Sequence, residues 1–472
     1  MALTRLISQP CGLATAFLTF ALLLPGIGAQ AQPDDVLVQD FRAALEQLEA
    51  ANESLLAARS TLEQSRAERG EADARRWPTV EISGRYTHMD GPLEADVSPV
   101  TDLLEAGLGQ IGVTLPPGLI PSEFRIQDRN FFNLSLQAVQ PLYLGGRIQA
   151  GRAAAGHGFK ASEAALERQR AELTVTLVER FYGQVLAREN LDLRKRSLDN
   201  LRKHDYNARR LEEEGQIARV ERLRAGVAVA EAEGERVVAE EQLRLASAAL
   251  AALLASDRPV SARGAIPPPP AELDRAVWQS LARDNNPALK EARQRLAQAR
   301  AGARAARGES HPVVALFGAR ELYTDDLTLI EPEWAVGIQA SWTLFDGGQR
   351  RARTGRAEAL VDEIAWRLAS GERNVSLLVD QQFDQLTGAL ARQQTYAATA
   401  ELAEEALIAQ QRAFEEGLGT SLEVVEAELA RSRVTLAELA ARRDAWVAVA
   451  GLYAAAGKID QLVTRIEGQS SD

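Results

Sequence analysis

The sequence predicts an α+β chain made twice over, in which strands with one apolar face run directly into very long helices. Three observations predict it. Trp334, Val336, Ile338, Ala340, Trp342 and Leu344 alternate with Ala335, Gly337, Gln339, Ser341 and Thr343, the period of two that marks a strand. From Glu333 to the C-terminus there is no proline, and Ala, Leu, Glu and Arg dominate, a composition that favours helix. Gly347 and Gly348 stand at the switch, and the same event occurs earlier as Gln140-Pro141-Leu142-Tyr143-Leu144-Gly145-Gly146-Arg147. The offset is 347 − 145 = 202, so the chain reads as a duplication. It is organised around strand–helix junctions at Pro141, Gly145, Gly146, Gly347 and Gly348, where the backbone must turn without a Cβ penalty.

Residues 1–31 read as a secretory signal: Arg5, an apolar run from Leu13 to Leu24, then Ala29-Gln30-Ala31. The first repeat spans 32–258. Residues 34 to about 76 lack proline and read as helix up to Trp77-Pro78, because the residue before a proline disfavours the helical conformation. Asn52 and Trp77-Pro78 recur as Asn286 and His311-Pro312, at an offset of 286 − 52 = 234. Strands follow at about 79–89 and 131–144, separated by a loop with Pro92, Pro99, Pro116, Pro117 and Pro121. The change of offset, 234 − 202 = 32, places an insertion of that length in or beside the first hairpin loop. From Arg147 to about Glu214 a proline-free helix would be roughly 100 Å long. Gly215 interrupts it, and a second helix returns to about Ala255.

Residues 259–286, with Pro259 and four prolines at 267–270, form a linker holding a short helix at about 271–282. The second repeat, 287–457, carries strands at about 313–323 and 334–345, a long helix, the turn at Gly417 and a return helix. In that helix Leu422, Val425, Leu429, Leu436 and Leu439 fall on heptad positions with Ser432 the polar member, which predicts coiled-coil packing. Residues 458–472 read as a short frayed tail.

Composition narrows the function. The single cysteine, Cys11, lies within the signal, so the exported chain has no thiol chemistry. Removing residues 1–31 removes Arg5 and takes the net charge from −12 to −12 − 1 = −13. Such an acidic export product is no partner for nucleic acid. No later run is apolar and long enough to cross a bilayer as a helix, so entry into a membrane would be by strands. Gly107-Leu108-Gly109-Gln110-Ile111-Gly112 matches a dinucleotide-binding pattern but lies in a proline-bounded loop rather than a strand–helix turn. The four histidines are scattered, and no nucleophile–base pattern is visible. No enzyme activity, cofactor or metal is expected.

Taken together, the duplicated plan, the two junctions and the hairpin tips make the chain resemble the TolC-like outer-membrane efflux protein family. The tip motifs are Gly215-Gln216-Ile217-Ala218-Arg219 and Gly417-Leu418-Gly419-Thr420-Ser421-Leu422-Glu423-Val424-Val425. The resemblance implies a homotrimer in the Gram-negative outer membrane: a twelve-stranded β-barrel with four strands per chain, continued by a long periplasmic α-helical barrel of coiled-coil hairpins. It implies an exit duct of a tripartite efflux or type I secretion system, with a periplasmic adaptor (membrane fusion) protein, an inner-membrane pump and outer-membrane lipid as partners. The independent argument agrees, since four strands cannot close a barrel and lipid tolerates no open edge. A periplasmic structural or adaptor coiled coil without a pore is the alternative; it accounts for the heptads but not for four strands placed symmetrically.

The resemblance also assigns sites. Glu423 and Glu426 match positions where relatives line the narrow periplasmic aperture, with Glu221 the first-half counterpart of Glu423 and Arg224 replacing that of Glu426. Gly215, Ala218, Arg219, Gly417, Gly419, Thr420 and Ser421 are expected to form the adaptor-contact tips. Two features depart from the family pattern. No cysteine stands at the mature N-terminus, and Phe414 and Gly419 occupy positions where some relatives have tyrosine and arginine.

Overall fold

The computed structural model describes residues 37–112, 116, 123–270, 274–324 and 332–469. The expected signal lies outside them. In chain order the elements are β1 (Leu37–Gln39), α1 (Phe41–Ala51), α2 (Glu53–Ala74), β2 (Thr79–His88), β3 (Leu93–Asp96), α3 (Ser98–Gln110), β4 (Glu123–Gln127) and β5 (Asn130–Leu144). The long hairpin α4 (Arg147–Glu213) and α5 (Arg219–Leu253) follows, then β6 (Val260–Ala262) and α6 (Arg275–Asn285). The second repeat is α7 (Pro287–Gly308), β7 (Val313–Thr324), β8 (Trp334–Ser341), α8 (Gln349–Glu415) and α9 (Ser421–Ala455), closed by α10 (Ile459–Gln469).

The duplication is visible in the lengths. Helices α4 and α8 are 67 residues each, roughly 100 Å, and α5 and α9 are 35 each. It is visible in the capping as well. Asn52 splits the expected first helix into α1 and α2: its Oδ1 accepts from the N–H groups of Ser54 and Leu55, and its Nδ2 donates to the Leu253 carbonyl at 2.9 Å. Asn286 does the same one repeat later, accepting from the Leu289 N–H and donating to the Ala455 carbonyl at 2.9 Å. Both amides are buried with donor and acceptor satisfied, so each fixes a helix start against the end of a return helix.

Strands β2, β5, β7 and β8 form one antiparallel sheet in the order β2-β5-β7-β8. The register places Val80, Ile82 and Tyr86 of β2 beside Ala138, Leu136 and Phe132 of β5, and Leu316 and Gly318 of β7 beside Ile338 and Val336 of β8. These residues share one apolar face. Glu81, Ser83 and Arg85 lie opposite Gln137, Ser135 and Asn133 on the other face, where the Ser83 and Ser135 hydroxyls are 3.0 Å apart. Strand β8 stops at Ser341, short of the expected 345, because Ser341 pairs with Val313, the first residue of β7. Among the described residues no partner strand reaches residues 342–345.

The aromatic core lies between the sheet and the hairpin tips. Phe41, Phe181, Tyr182, Trp278, Trp446 and Tyr453 pack in one cluster, with Phe41 edge-on to Phe181 at 5.4 Å and Trp278 edge-on to Tyr453 at 4.8 Å. Three expectations need correction here. The linker contributes β6, which pairs in parallel with β1, and its helix begins at Arg275 under an Asp274 cap rather than near 271. The tail is not frayed: Ile459, Leu462 and Ile466 of α10 fall on one helix face and are buried in the core. The stretch 90–130 is not simply a loop, since β3 pairs with β4 and α3 lies between them. Pro99, one of the prolines of the expected loop, sits in the first turn of α3 where its missing N–H costs nothing. The Gly107–Gly112 pattern falls at the C-terminal end of that helix, so it cannot cradle a phosphate at a helix N-terminus.

Candidate functional site

Two places carry the chemistry: the strand–helix junctions and the hairpin tips. At each junction two consecutive glycines adopt left-handed conformations, Gly145 and Gly146 at φ 63° and 77°, Gly347 and Gly348 at 67° and 87°. Residues with a Cβ disfavour that region. Gly146 and Gly348 are the N-caps of α4 and α8. Pro141 lies within β5, opposite Ala315, at a register shift of the β5–β7 pair, where its missing N–H is tolerated. At the second junction the N-cap Gly348 has no side chain to cap with, and Asp346 serves instead: its carboxylate accepts from the backbone N–H groups of Gly348 and Arg350 and pairs with the Arg350 guanidinium at 2.8 Å.

The tips are tight turns. Gly215 and Gly417 have φ 71° and 73°, and the Gln216 and Leu418 N–H groups each reach back 2.8 Å to a carbonyl of the preceding helix, the hydrogen-bond pattern of a helix ended by glycine. Beneath them Ala208, Leu211, Ala225, Phe414 and Val424 form a small core. Phe414 fills it, 1% exposed, with the His204 ring 4.5 Å away. His204 Nε2 lies 2.6 Å from the Ser421 hydroxyl.

The two tips are capped differently. Thr420 and Glu423 form a capping box: the Thr420 N–H donates to Glu423 at 2.7 Å and the Glu423 N–H donates to the Thr420 hydroxyl at 3.3 Å. These contacts, first the Thr420 backbone N–H and then its hydroxyl, hold the Glu423 carboxyl below the ordinary carboxylate range. Ala218, the first-half equivalent of Thr420, has no side chain to cap with. Glu221 therefore turns across, accepting from the Ser421 N–H at 2.9 Å and from Arg224 at 2.9 Å. One carboxylate thus ties the first hairpin to the N-terminus of α9.

Gly215, Ala218, Arg219, Gly417 and Thr420 are exposed, and Gly419 is half-buried. Ser421 is the exception. The structure buries it completely, its hydroxyl on His204, so it is removed from the exposed tip surface. Glu423 and Glu426 are exposed on one face of α9, and Glu426 has no hydrogen-bond or ion-pair partner among the described residues. The buried residues of α9 near the tip are Ser421, Val424, Glu428 and Ser432; the first three fall one residue before the predicted heptad positions, Ser432 falls on one, and Leu422 is exposed. A polar cluster lies on that seam. Glu428, 1% exposed, takes hydrogen bonds from Asn200 of α4 at 3.2 Å and from Arg431 at 2.6 Å, and Arg431 also reaches Glu404 of α8. Neither this cluster nor the His204–Ser421 contact is foreseen in the sequence.

His204 makes the tip sensitive to acid. Burial lowers its pKa below the ordinary value near 6.5, with Asp205 and Glu221 opposing only in part. A histidine held neutral in the folded state stabilises fully above that value, and its contribution is lost as pH falls from about 6.5 through the folded pKa. Amide exchange at 204–221 and 411–424, corrected for intrinsic rates, should therefore be several-fold faster at pH 5.5 than at 7.5. In His204→Gln the difference should vanish; an unchanged difference would place the acid sensitivity elsewhere.

The description "Outer membrane efflux protein" belongs to a family model that matches residues 44–256 and 278–458. Solved structures give the same fold. The outer-membrane channel OprN is 20% identical with a TM-score of 0.71, over 89% of this chain and 90% of that one. The outer membrane protein VceC of Vibrio cholerae is 17% identical with a TM-score of 0.69, over 88% and 96%. The MtrE outer membrane channel of Neisseria gonorrhoeae, in its open state, is 20% identical with a TM-score of 0.66, over 89% of each. No curated protein matches the chain.

Proposed function

The chain belongs to the outer membrane efflux protein family, and from that premise we propose that three copies close into one conduit gated at the hairpin tips. As an outer-membrane efflux channel it extends from the outer membrane into the periplasm. The observation that carries the trimeric reading is the four-stranded sheet with unpaired edges at β2 and β8. Inside the chain the second strand of one repeat, β5, pairs with the first strand of the next, β7. The same pairing applied between copies puts β8 against β2 of the neighbour, a head-to-tail contact that generates a ring. Two copies give eight strands, whose interior fills with side chains; three give twelve and leave a duct. Heat-modifiable trimer migration after outer-membrane extraction tests this, and a monomer there would overturn it.

The hairpins then continue the duct into the periplasm, where the exposed Gly215, Ala218, Arg219, Gly417 and Thr420, with the half-buried Gly419, offer a periplasmic adaptor a surface of mostly small residues. An inner-membrane pump would deliver solute through it. At the aperture, threefold symmetry makes rings of Glu426 and Glu423. Glu426 is the stronger determinant, because its carboxylate is uncommitted whereas that of Glu423 already serves the capping box. Glu221, held by the Ser421 N–H and Arg224, supports the tip rather than the lining. The duct should be cation-selective, since carboxylates ~7 Å apart repel by only about 0.6 kcal/mol in water but concentrate cations between them. In single-channel recordings Glu426→Gln should weaken cation selectivity and block by a trivalent cation by several-fold. Wild-type behaviour in both would place the glutamates outside the pore.

A further inference from the structure

The chain as a whole is acidic, at −12, yet its charge inverts where the sheet meets the helices. Residues 145–160 contain Arg147, Arg152 and Lys160 and no acid. Residues 293–308 contain five arginines and no acid, and residues 347–357 contain Arg350, Arg351, Arg353 and Arg356 and no acid. Local ion pairs satisfy part of this collar: Arg152 with Asp73, Arg307 with Glu358, Arg350 with Asp346 and Arg353 with Glu309. Arg300, Arg304, Arg351 and Arg356 are exposed and meet no acceptor among the described residues.

One of these, Arg351, adjoins an apolar lip. Trp342, Leu344 and Phe345 follow β8 and are 59%, 75% and 86% exposed. Between lip and collar lies a groove of about 660 Å³ lined by Trp342, Leu344, Arg307, Arg350 and Arg351; Glu358 and Asp346 also line it and pair with Arg307 and Arg350, which leaves Arg351 as its uncommitted cation. A second groove of about 960 Å³ runs on along α7 and α8 over alanines, lined by Arg295, Arg353 and Arg356 and by Glu309 and Glu363, with Glu309 paired to Arg353.

We propose that this collar binds the headgroups of anionic phospholipids in the membrane leaflet nearest the helices, with the acyl chains rising along the apolar face of the sheet. The proposal rests on the placement of the sheet in the outer membrane. Guanidinium groups bind phosphate oxygens in a planar, bidentate geometry. Exposed tryptophan beside them is the side chain that settles at a membrane interface. A soluble phosphate would use the arginines but not the lip, and an apolar protein partner would use the lip but not the arginines. Only an amphiphile with a phosphate head matches both within one groove.

Native mass spectrometry of the full-length trimer, taken from mixed micelles of phosphatidylglycerol and phosphatidylcholine, tests this. Wild type should retain phosphatidylglycerol over phosphatidylcholine by tenfold or more, as expected for two surface arginines per chain facing an anionic headgroup. Arg351→Gln/Arg356→Gln should lose most of that preference, while Arg351→Lys/Arg356→Lys should keep a large part. Both arginines are exposed and unpaired, so the fold does not depend on them. Equal retention of the two lipids by wild type, or an unchanged preference in the glutamine variant, would overturn the proposal. Displacement of the lipid by glycerol 3-phosphate would also overturn it, by showing a soluble phosphate site. A wild-type chain that inserts into no vesicle of either lipid would instead overturn the membrane placement itself.

Discussion

Gly145→Ala should remove nearly all heat-modifiable trimer from the outer-membrane fraction. Two effects add at this position. The residue sits at φ 63°, a conformation that costs roughly 1–2 kcal/mol for a residue with a Cβ. The new Cβ would also run into the Gly308 carbonyl oxygen and come within 2.9 Å of the His311 Cβ. Neither neighbour can step aside, because one is backbone at the end of α7 and the other lies in the short connection between α7 and β7. A clash between two main chains places the change among the severe ones, above about 4 kcal/mol. Gly308→Ala should do similar damage from the other side, since its Cβ would lie 2.5 Å from the Gly145 carbonyl oxygen. Gly347 is the control. Its φ of 67° is as demanding, but nothing lies within 4 Å of its Cβ position. Gly347→Ala should therefore lower trimer yield only partly. Equal yields from Gly145→Ala and Gly347→Ala would show that the α7 contact does not hold the junction.

These residues also show what the sequence makes legible. A glycine pair between a period of two and a proline-free run has one physical meaning, a left-handed turn from strand to helix. Its repetition at a fixed offset located both junctions and both tips. The long helices were legible because Gly215 and Gly417 end α4 and α8 without competition. What escaped was settled by distant packing. Glu428, Asn200 and Glu404 come from three helices, and nothing local in any of them announces a buried charge. Ser421 belongs to the tip motif that the family resemblance assigns to the adaptor surface; Thr420 caps α9 there, and Ser421 is drawn inward to His204. Near the tip the seam packed within one chain runs through Ser421, Val424 and Glu428, one residue before the predicted Leu422, Val425 and Leu429, and rejoins the predicted heptad at Ser432. The larger Leu422 and Val425 instead line a groove with Val220, Leu223 and Val227. Helix α10 was missed because eleven residues with a polar end read as a tail until Ile459, Leu462 and Ile466 are seen to share a face.

The sheet allows a second strong prediction, that one residue of displacement along β8 decides whether the trimer forms. Ile338 lies on the apolar face, 68% exposed within the chain and opposite Leu316. It is four residues from Trp334, about 13 Å along the strand at 3.3 Å per residue. With a strand tilt of 35–45° that is roughly 10 Å of depth, near the middle of an apolar band ~25 Å tall. An arginine there costs about 2–4 kcal/mol per chain, and closure of the ring imposes it three times. Gln339 points to the opposite face, across from Ala315, where an arginine would meet water in the duct. The chain contains its own reference point for depth. Arg320 pairs with Trp334 and Leu136 on the apolar face, at the far end of the band where an arginine costs about 0–1 kcal/mol and can reach the interface. Ile338→Arg should thus abolish the trimer in outer-membrane extracts, Gln339→Arg should leave it near wild type, and Trp334→Arg should fall between them. Equal loss from Ile338→Arg and Gln339→Arg would reject the assigned face, and loss from Gln339→Arg alone would reverse it.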